Sequence, residues 1–346
     1  MEAPAPPPPK PPRRPRYAGT HPRRFAEKYK EQDPSRYPDT VAKVLASGKT
    51  PAGSHVPVLV EEVLAALDPQ PGGVGVDCTL GHGGHALRIL PMIVPGGRLI
   101  GLDVDPVELP RTEERIREAG FGTGDFVAVR SNFAGLPKVL GKLGLEAADF
   151  ILADLGCSSM QLDDPARGFT FKSSGPLDMR LNPQRGLSAR DWLARAKPAD
   201  LGEVLRENAD EPQAESLAAA LAGRDFPDTR SLAEAVRAVV GTETEESDLA
   251  VRRVFQAVRI AVNDEFGSLE AFLRALPSCL APGGRVAVIS FHSGEDRRVK
   301  KSFQAGLRDG LWSEVSDGPV TAGPEERHSN PRSVPAKLRL AVRAAF

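Results

Sequence analysis

Three carboxylates each close an apolar run: Asp77 ends Val74-Gly-Val-Asp77, Asp103 ends Arg98-Leu-Ile-Gly-Leu-Asp103, and Asp154 ends Ala148-Asp-Phe-Ile-Leu-Ala-Asp154. One strand-terminal acid would mean little. Three of them predict a polar site along one rim of a sheet, because ligands of open α/β sheets sit beyond the carboxyl ends of the strands. Between the first two acids lies Gly81-His-Gly-Gly-His85. Glycines there allow positive φ and let a ligand approach the backbone. Asp103 follows Gly83 by 20 residues, the spacing at which an acid can accept hydrogen bonds from an adenosine ribose. The loop lacks the third spaced glycine of a dinucleotide site, and no Gly-Lys-Ser/Thr follows to make a P-loop. Asp77 favours a positive group over a phosphate at its strand tip. S-adenosylmethionine, with its ammonium and sulfonium, fits that charge, so a methyltransferase ranks ahead of a dehydrogenase.

Methyl transfer from a sulfonium needs alignment more than covalent help. If the acceptor is an exocyclic base amine, the site must offer a hydrogen-bond acceptor and a route for the departing proton. Asp154 is the first candidate, with His292 as either a proton shuttle or a residue that positions its loop. Cys157 would suit attack on a cytosine C5, and is equally readable as a small packing residue. Cys78, His82 and His85 lack a fourth ligand at a familiar spacing, so no metal site is expected.

The elements that must hold these groups alternate. A helix over Glu61–Leu67 precedes the first strand, and a second runs through Ala86, Leu87 and Leu90. Asp105-Pro106 starts a third, reaching about Ala119. Asp125–Arg130 reads as a strand followed by Phe133, which could lie against an adenine or in the core. From Gly156 to Arg180 the chain is loop-like and dense in Gly, Pro, Ser and charge. Phe169, Phe171, Lys172 and Arg180, with Arg185, suit base stacking and phosphate contacts. Helices are then expected over Ala189–Ala196, capped by Ser188, from Pro198, over Pro212–Ala222 and over Ser231–Val240. Val251–Phe266 reads as one helix whose stripe of Arg252, Gln256, Arg259 and Asn263 suits holding loops or RNA. Leu269–Leu280, strand Arg285–Phe291, a charged segment from His292 and strand Lys337–Val342 complete the chain.

A chain of 346 residues with 40% hydrophobic content can bury a sizeable core. Its net charge of −1 gives no global pull toward nucleic acid. Three scattered cysteines predict a reducing compartment. With no long apolar run and no secretory signal, a cytoplasmic protein without a membrane partner is expected. Residues 1–50 carry 11 Lys or Arg against 5 Asp or Glu, and eight prolines fall in the first sixteen positions. That composition predicts a disordered arm, either a solvated tail or a contact for RNA phosphates.

From about residue 54 onward the sequence resembles the bacterial ribosomal small-subunit rRNA cytosine-N4 methyltransferase family (RsmH or MraW). The motifs that carry the resemblance are Asp77-x-Thr-x-Gly-x-Gly-Gly-His85, Asp103-x-Asp-Pro106, Asp154-Leu-Gly-x-Ser-Ser159 and Gln161-Leu-Asp-Asp164. Later ones are Arg167-Gly-Phe-x-Phe171, Gly175-Pro-Leu-Asp-Met-Arg180, Arg253-x-Phe-Gln-Ala-Val-Arg-Ile260 and Ile289-Ser-Phe-His-Ser293. The resemblance implies a Rossmann-like α/β sheet that binds S-adenosylmethionine, with an inserted helical domain that helps bind RNA. It places cofactor contacts on Gly83, Gly84, His85, Asp103, Phe133, Asp154 and Gln161. The implied acceptor is the N4 amine of one cytidine in the decoding centre of 16S rRNA, in the small subunit or an assembly intermediate. The expected organisation is the arm at 1–50, a methyltransferase domain at 51–160 and 250–346, and a substrate-recognition insertion at 161–249. Asp154 and His292 are the expected catalytic pair; Phe169, Phe171, Lys172, Arg180 and Arg259 are the expected RNA contacts.

Two departures stand out: Gly294 replaces a common leucine, which would loosen the loop after His292, and Asn208-Ala-Asp-Glu-Pro212 differs from the usual Tyr-Gly-Glu-Glu. A DNA amino-methyltransferase would carry Asp/Asn-Pro-Pro-Tyr where this chain has Asp154-Leu-Gly-Cys157. A binding scaffold that had lost catalysis would have no need of all three rim acids.

Overall fold

The computed structural model describes residues 57–158, 161–162, 164–241 and 245–345. The basic arm, His55, Ser159 and Asp163 lie outside the described residues. The sheet has seven strands: β1 (Val74–Asp77), β2 (Arg98–Asp103), β3 (Phe126–Arg130), β4 (Ala148–Asp154), β5 (Leu280–Ser290), β6 (Trp312–Val315) and β7 (Lys337–Arg343). Their order is β3-β2-β1-β4-β5-β7-β6. The first five are parallel, and β7 runs antiparallel between β5 and β6. Parallel strands covered on both faces should be nearly all apolar, as the buried cores of β2 and β4 are. Gly75 lets β1 pass beneath Phe150 of β4, whose ring lies 2.0 Å from where a Cβ would sit.

Helices α1 (Val60–Leu67), α2 (Ala86–Ile93) and α3 (Glu108–Glu118) bury Val63, Leu67, Ile89, Leu90, Ile93 and Ile116 on one face of the sheet. α3 starts two residues beyond Pro106, because the Asp105 side chain accepts the amides of Val107 and Glu108 and holds the entry turn. Helix α4 (Leu136–Lys142) begins the opposite face.

Between β4 and β5 come α5 (Ala189–Arg195), α6 (Pro198–Ala209), α7 (Ala214–Leu221), α8 (Thr229–Val240) and α9 (Glu245–Asn263). They share a hydrophobic cluster of their own, built on Leu193, Leu205, Leu217, Leu232, Val254 and Val258. Local signals set their ends: Ser188 caps α5 by accepting the Asp191 amide, and Asp228 with Ser231 forms a capping box on α8.

The single helix expected over Val251–Phe266 is broken. Asp264 turns to φ 48°, and α10 (Glu265–Cys279) begins there rather than at Leu269. α10 returns to the sheet beside α4, and α11 (Ser293–Arg308), the charged segment after His292, joins them through Val299 and Phe303. Helix α12 (Pro324–Ser329) and β6 were not foreseen; β6 has four residues, of which Trp312 alone is buried.

Candidate active site

The register places Asp77, Asp103 and Asp154 at the carboxyl ends of β1, β2 and β4. A cavity of about 410 Å³ opens there, within the size range of small-molecule sites. Gly84, His85, Asp103, Phe133, Asp154 and Gln161 all line it, together with Arg259 and His292. Gly83 does not. Its φ is +75°, and a Cβ there would meet Thr112 at 3.0 Å and Ile116 at 3.4 Å, so it lets the loop pack on α3 and does not face the cavity.

The glycine loop is fixed from several sides. Asp103 accepts the Gly81 amide at 2.8 Å and the Asp105 amide at 2.8 Å. Thr112 donates to the Gly81 carbonyl and Arg115 to that of His82. Burial raises the Asp103 carboxyl above its ordinary value, although these amides oppose the shift. Asp77, 1% exposed, is pushed up to about 6 by burial, with His85 opposing and Asp154 adding to the rise. The Asp154 amide donates to Thr79 Oγ1 at 2.6 Å, which ties the end of β4 to the segment after β1. Its Oδ2 lies 3.6 Å from His85 Nε2, and its Oδ1, closed off from solvent, has no hydrogen-bond partner. Phe133 follows β3 in a short 3₁₀ turn and packs edge-on against Phe272, with centroids 5.3 Å apart, while still facing the cavity. Both of its sequence readings therefore meet in one position.

On the far wall, Arg259 pairs with Glu265 through two contacts of 2.8 Å. The break at Asp264 makes this pairing, since in a continuous helix residues six apart do not share a face. Burial opposes the Arg259 charge, but the carboxylates of Glu265 and Glu295 stand against it and keep the guanidinium protonated. This bears on its predicted RNA contact: the Nε and Nη2 edge of the fork is taken by Glu265. Gln256 donates to the Asn208 carbonyl, and Asn263 bonds Met179 and Leu181. Of the two uses foreseen for this stripe, holding loops is the one seen.

His292 has a carboxylate partner as well. Its Nε2 lies 3.2 Å from Glu295 Oε1, and both ring nitrogens are shut from solvent without a hydrogen bond. The ring lines the cavity and is braced by Glu295, an arrangement that suits its reading as a residue that positions its loop. Gly294 does not loosen this region; it is buried, and a Cβ there would meet Phe266 at 2.7 Å and His292 Nδ1 at 3.2 Å. Burial would raise the Glu295 carboxyl, yet His292, the Phe291 amide and Arg259 hold it below its usual value. Glu295 and Glu265 carried no motif signal beyond the spacing of Glu295 from His292, one helical turn on.

The other predicted RNA contacts separate. Phe169 is 7% exposed and sits in the helical core, so it packs and offers no stacking face. Phe171 packs edge-on against Phe255 at 5.3 Å. Arg180 is held by Asp178 through both carboxylate oxygens. Lys172 is exposed. Cys157 lines the cavity, and burial pushes its thiol up to about 12. Among the described residues no three His, Cys, Asp or Glu side chains gather as metal ligands, and no helix is long and apolar enough to cross a membrane.

A mostly parallel sheet of order 3-2-1-4-5-7-6, with β7 antiparallel to its neighbours and acids and a glycine loop at its carboxyl rim, defines the class of Rossmann-like α/β proteins. Within it the chain belongs to the MraW methylase family, whose model matches residues 52–344. It is 46% identical over 342 residues to "Ribosomal RNA small subunit methyltransferase H 1" of Lachnoclostridium phytofermentans, covering 96% of this chain and 93% of the relative. It is 46% identical over 342 residues to "Ribosomal RNA small subunit methyltransferase H 2" of Alkaliphilus metalliredigens, with 96% and 97% covered. The crystal structure of an rRNA methylase from Streptococcus thermophilus matches with a TM-score of 0.36 at 11% identity, covering 82% of this chain and 93% of that one. A share of 96% is more than residues 51–346 could supply alone. Part of the basic N-terminal stretch therefore falls inside these alignments, while the family model itself begins at residue 52, close to where the family motifs begin.

Proposed function

We propose that this protein methylates the N4 amine of one cytidine in the decoding centre of 16S rRNA, using S-adenosylmethionine. The family and the names of its relatives support an rRNA methyltransferase. The observation that carries the choice of atom is Cys157. A C5 mechanism needs a thiolate attacking the ring, and this cavity-facing thiol is held at about 12, so it stays protonated at neutral pH.

The residues present fit the cofactor. Asp103 would accept hydrogen bonds from the ribose hydroxyls, Gly84 offers close backbone approach, and Phe133 gives the adenine an aromatic wall. Asp154, which lines the cavity, would supply negative charge for the sulfonium and ammonium, with Asp77 buried outside the lining. When bound, S-adenosylmethionine supplies an electrophilic methyl carbon attached to a good leaving group. The chain's own part is to hold the extruded base and to accept a proton. Attack by the N4 lone pair would form the N–C bond as the carbon–sulfur bond breaks and its electron pair leaves with the sulfur, and the positive amine so formed would lose one proton. Asp154, with an oxygen lacking any partner, is the acceptor in this reading. His292 shapes the wall through Glu295. Residues 161–249 form the substrate-recognition part, with exposed Lys172 as its remaining predicted phosphate contact. The RNA would be methylated within the small subunit or an assembly intermediate.

The test is mass spectrometry of nucleosides from small-subunit rRNA treated with the purified protein. N4-methylcytidine is expected, and 5-methylcytidine would overturn the assignment.

A further inference from the structure

Arg167 ends a short 3₁₀ turn, Pro165–Arg167, just beyond the cavity wall. Its Nη1 donates to Asp105 Oδ2 at 2.8 Å, and its Nη2 donates to the carbonyls of Leu181 at 2.9 Å and Arg180 at 3.2 Å. Asp105 is 0% exposed, and the same Oδ2 accepts Gln161 Nε2 at 2.9 Å. Leu181 is gripped from the other side, its amide donating to Asn263 Oδ1 at 2.8 Å. Asn263 Nδ2 in turn donates to the Met179 carbonyl at 2.8 Å. Gln161, Leu181 and Asn263 line the cavity; Arg167 and Asp105 do not.

A strut therefore runs from the loop after β2, through Arg167 and residues 179–181, to the last turn of α9. A buried Arg–Asp pair is weak evidence for stability, because desolvation offsets its attraction. It does fix geometry, since the planar guanidinium presents donors in a rigid fork. There is a second sign of imposed geometry on the same segment. Met179 sits at φ +58°, a conformation that a non-glycine residue keeps only where its surroundings over-determine it. Its amide donates to the Arg167 carbonyl at 3.1 Å, and its own carbonyl is held by Asn263.

We infer that Arg167 is the positioning residue for the substrate side of the cavity. It sets residues 179–181 at a fixed distance from the cofactor rim by reading one carboxylate and two carbonyls at once. In its kinetic arm this rests on the function proposed above.

The test uses the full chain with three substitutions. R167M alone leaves the Asp105 charge buried without its partner and can fail to fold. R167M/D105N removes that charge while the two carbonyls still lose their donor. R167K restores a cation beside Asp105 without the fork. In R167M/D105N, hydrogen-exchange protection at the Leu181 amide should fall at least about tenfold while β2 and β4 stay protected. Measured against D105N alone, which already loosens Gln161, calorimetric Kd for S-adenosylmethionine should stay within about threefold, and kcat on small-subunit RNA should fall at least about tenfold with KM for the cofactor unchanged. R167K should recover less than half of the lost kcat. Wild-type protection and kcat in R167M/D105N, or full recovery in R167K, would overturn the inference by reducing Arg167 to a counter-charge. If the wild-type protein methylates no RNA, the proposed function fails, and the exchange measurement still decides whether the strut holds the segment.

Discussion

Replacing Asp77 by asparagine should stabilise the cofactor-free protein at neutral pH while impairing its binding site. Asp77 is fully buried, and its carboxyl titrates near about 6 instead of 3.8. Below the unfolded value the side chain is protonated in both states, so the substitution is neutral there. Between 3.8 and about 6 the unfolded chain ionises and the folded chain does not, so folded stability falls as pH rises through this window. Above it, the native protein holds a desolvated charge that the unfolded state keeps hydrated. A shift of roughly two units at about 1.4 kcal/mol each gives a cost of about 3 kcal/mol at pH 7.5 and about 1.5 kcal/mol at pH 5. An uncharged amide in the same place would carry no such cost, and its carbonyl oxygen could still accept the Thr79 amide that Asp77 now receives at 3.1 Å. Thermal unfolding at both pH values is the assay. The variant's Tm should rise by several degrees at pH 7.5, since about 1 kcal/mol moves a large domain by roughly 2–4 °C. The gain should be about half as large at pH 5. Calorimetry at pH 7.5 should show weaker binding of S-adenosylmethionine, because a negative charge buried next to the cavity-lining Cys78 and Thr79 is lost. An equal effect at both pH values, or a lower Tm at pH 7.5, would refute the assignment of this strain to a buried charge.

Asp103→Ala should weaken cofactor binding by about 1.5–3 kcal/mol per lost charge-assisted bond; unchanged affinity in calorimetry would move the ribose site elsewhere. Cys157→Ala should keep most of its turnover on RNA, and loss of all turnover in a well-folded variant would return the thiol to the mechanism. Arg259→Met strands Glu265 in the wall and should cost about 3–5 kcal/mol in urea unfolding. Wild-type stability with only RNA binding lost would restore Arg259 to the RNA contacts. Gly75→Ala puts a methyl into the Phe150 ring and should destabilise by at least about 1–3 kcal/mol, read as a lower midpoint in the same titration.

The sheet was legible because its signals are local. Val, Ile and Leu runs of strand length, each closed by an acid, mark β1, β2 and β4 wherever the chain goes next, and Ser188 caps its helix through an amide three residues away. The rim acids and the glycine loop could be named for the same reason: strand ends and tight turns set where those residues point. What the sequence could not supply was partnership between distant segments. Arg259 and Phe169 look like RNA contacts in one dimension, since a cation and an aromatic in polar company suit that task. The turn at Asp264 brings Glu265 to Arg259, and the helical core takes in Phe169. His292 reads in one dimension either as a proton carrier or as a residue that positions its loop, and only the folding of α11 shows Glu295 against its ring. Composition and spacing decide which groups are present at the rim. Which of them remain available for a ligand is decided by burial and by the charges that reach them first, and those follow only from packing.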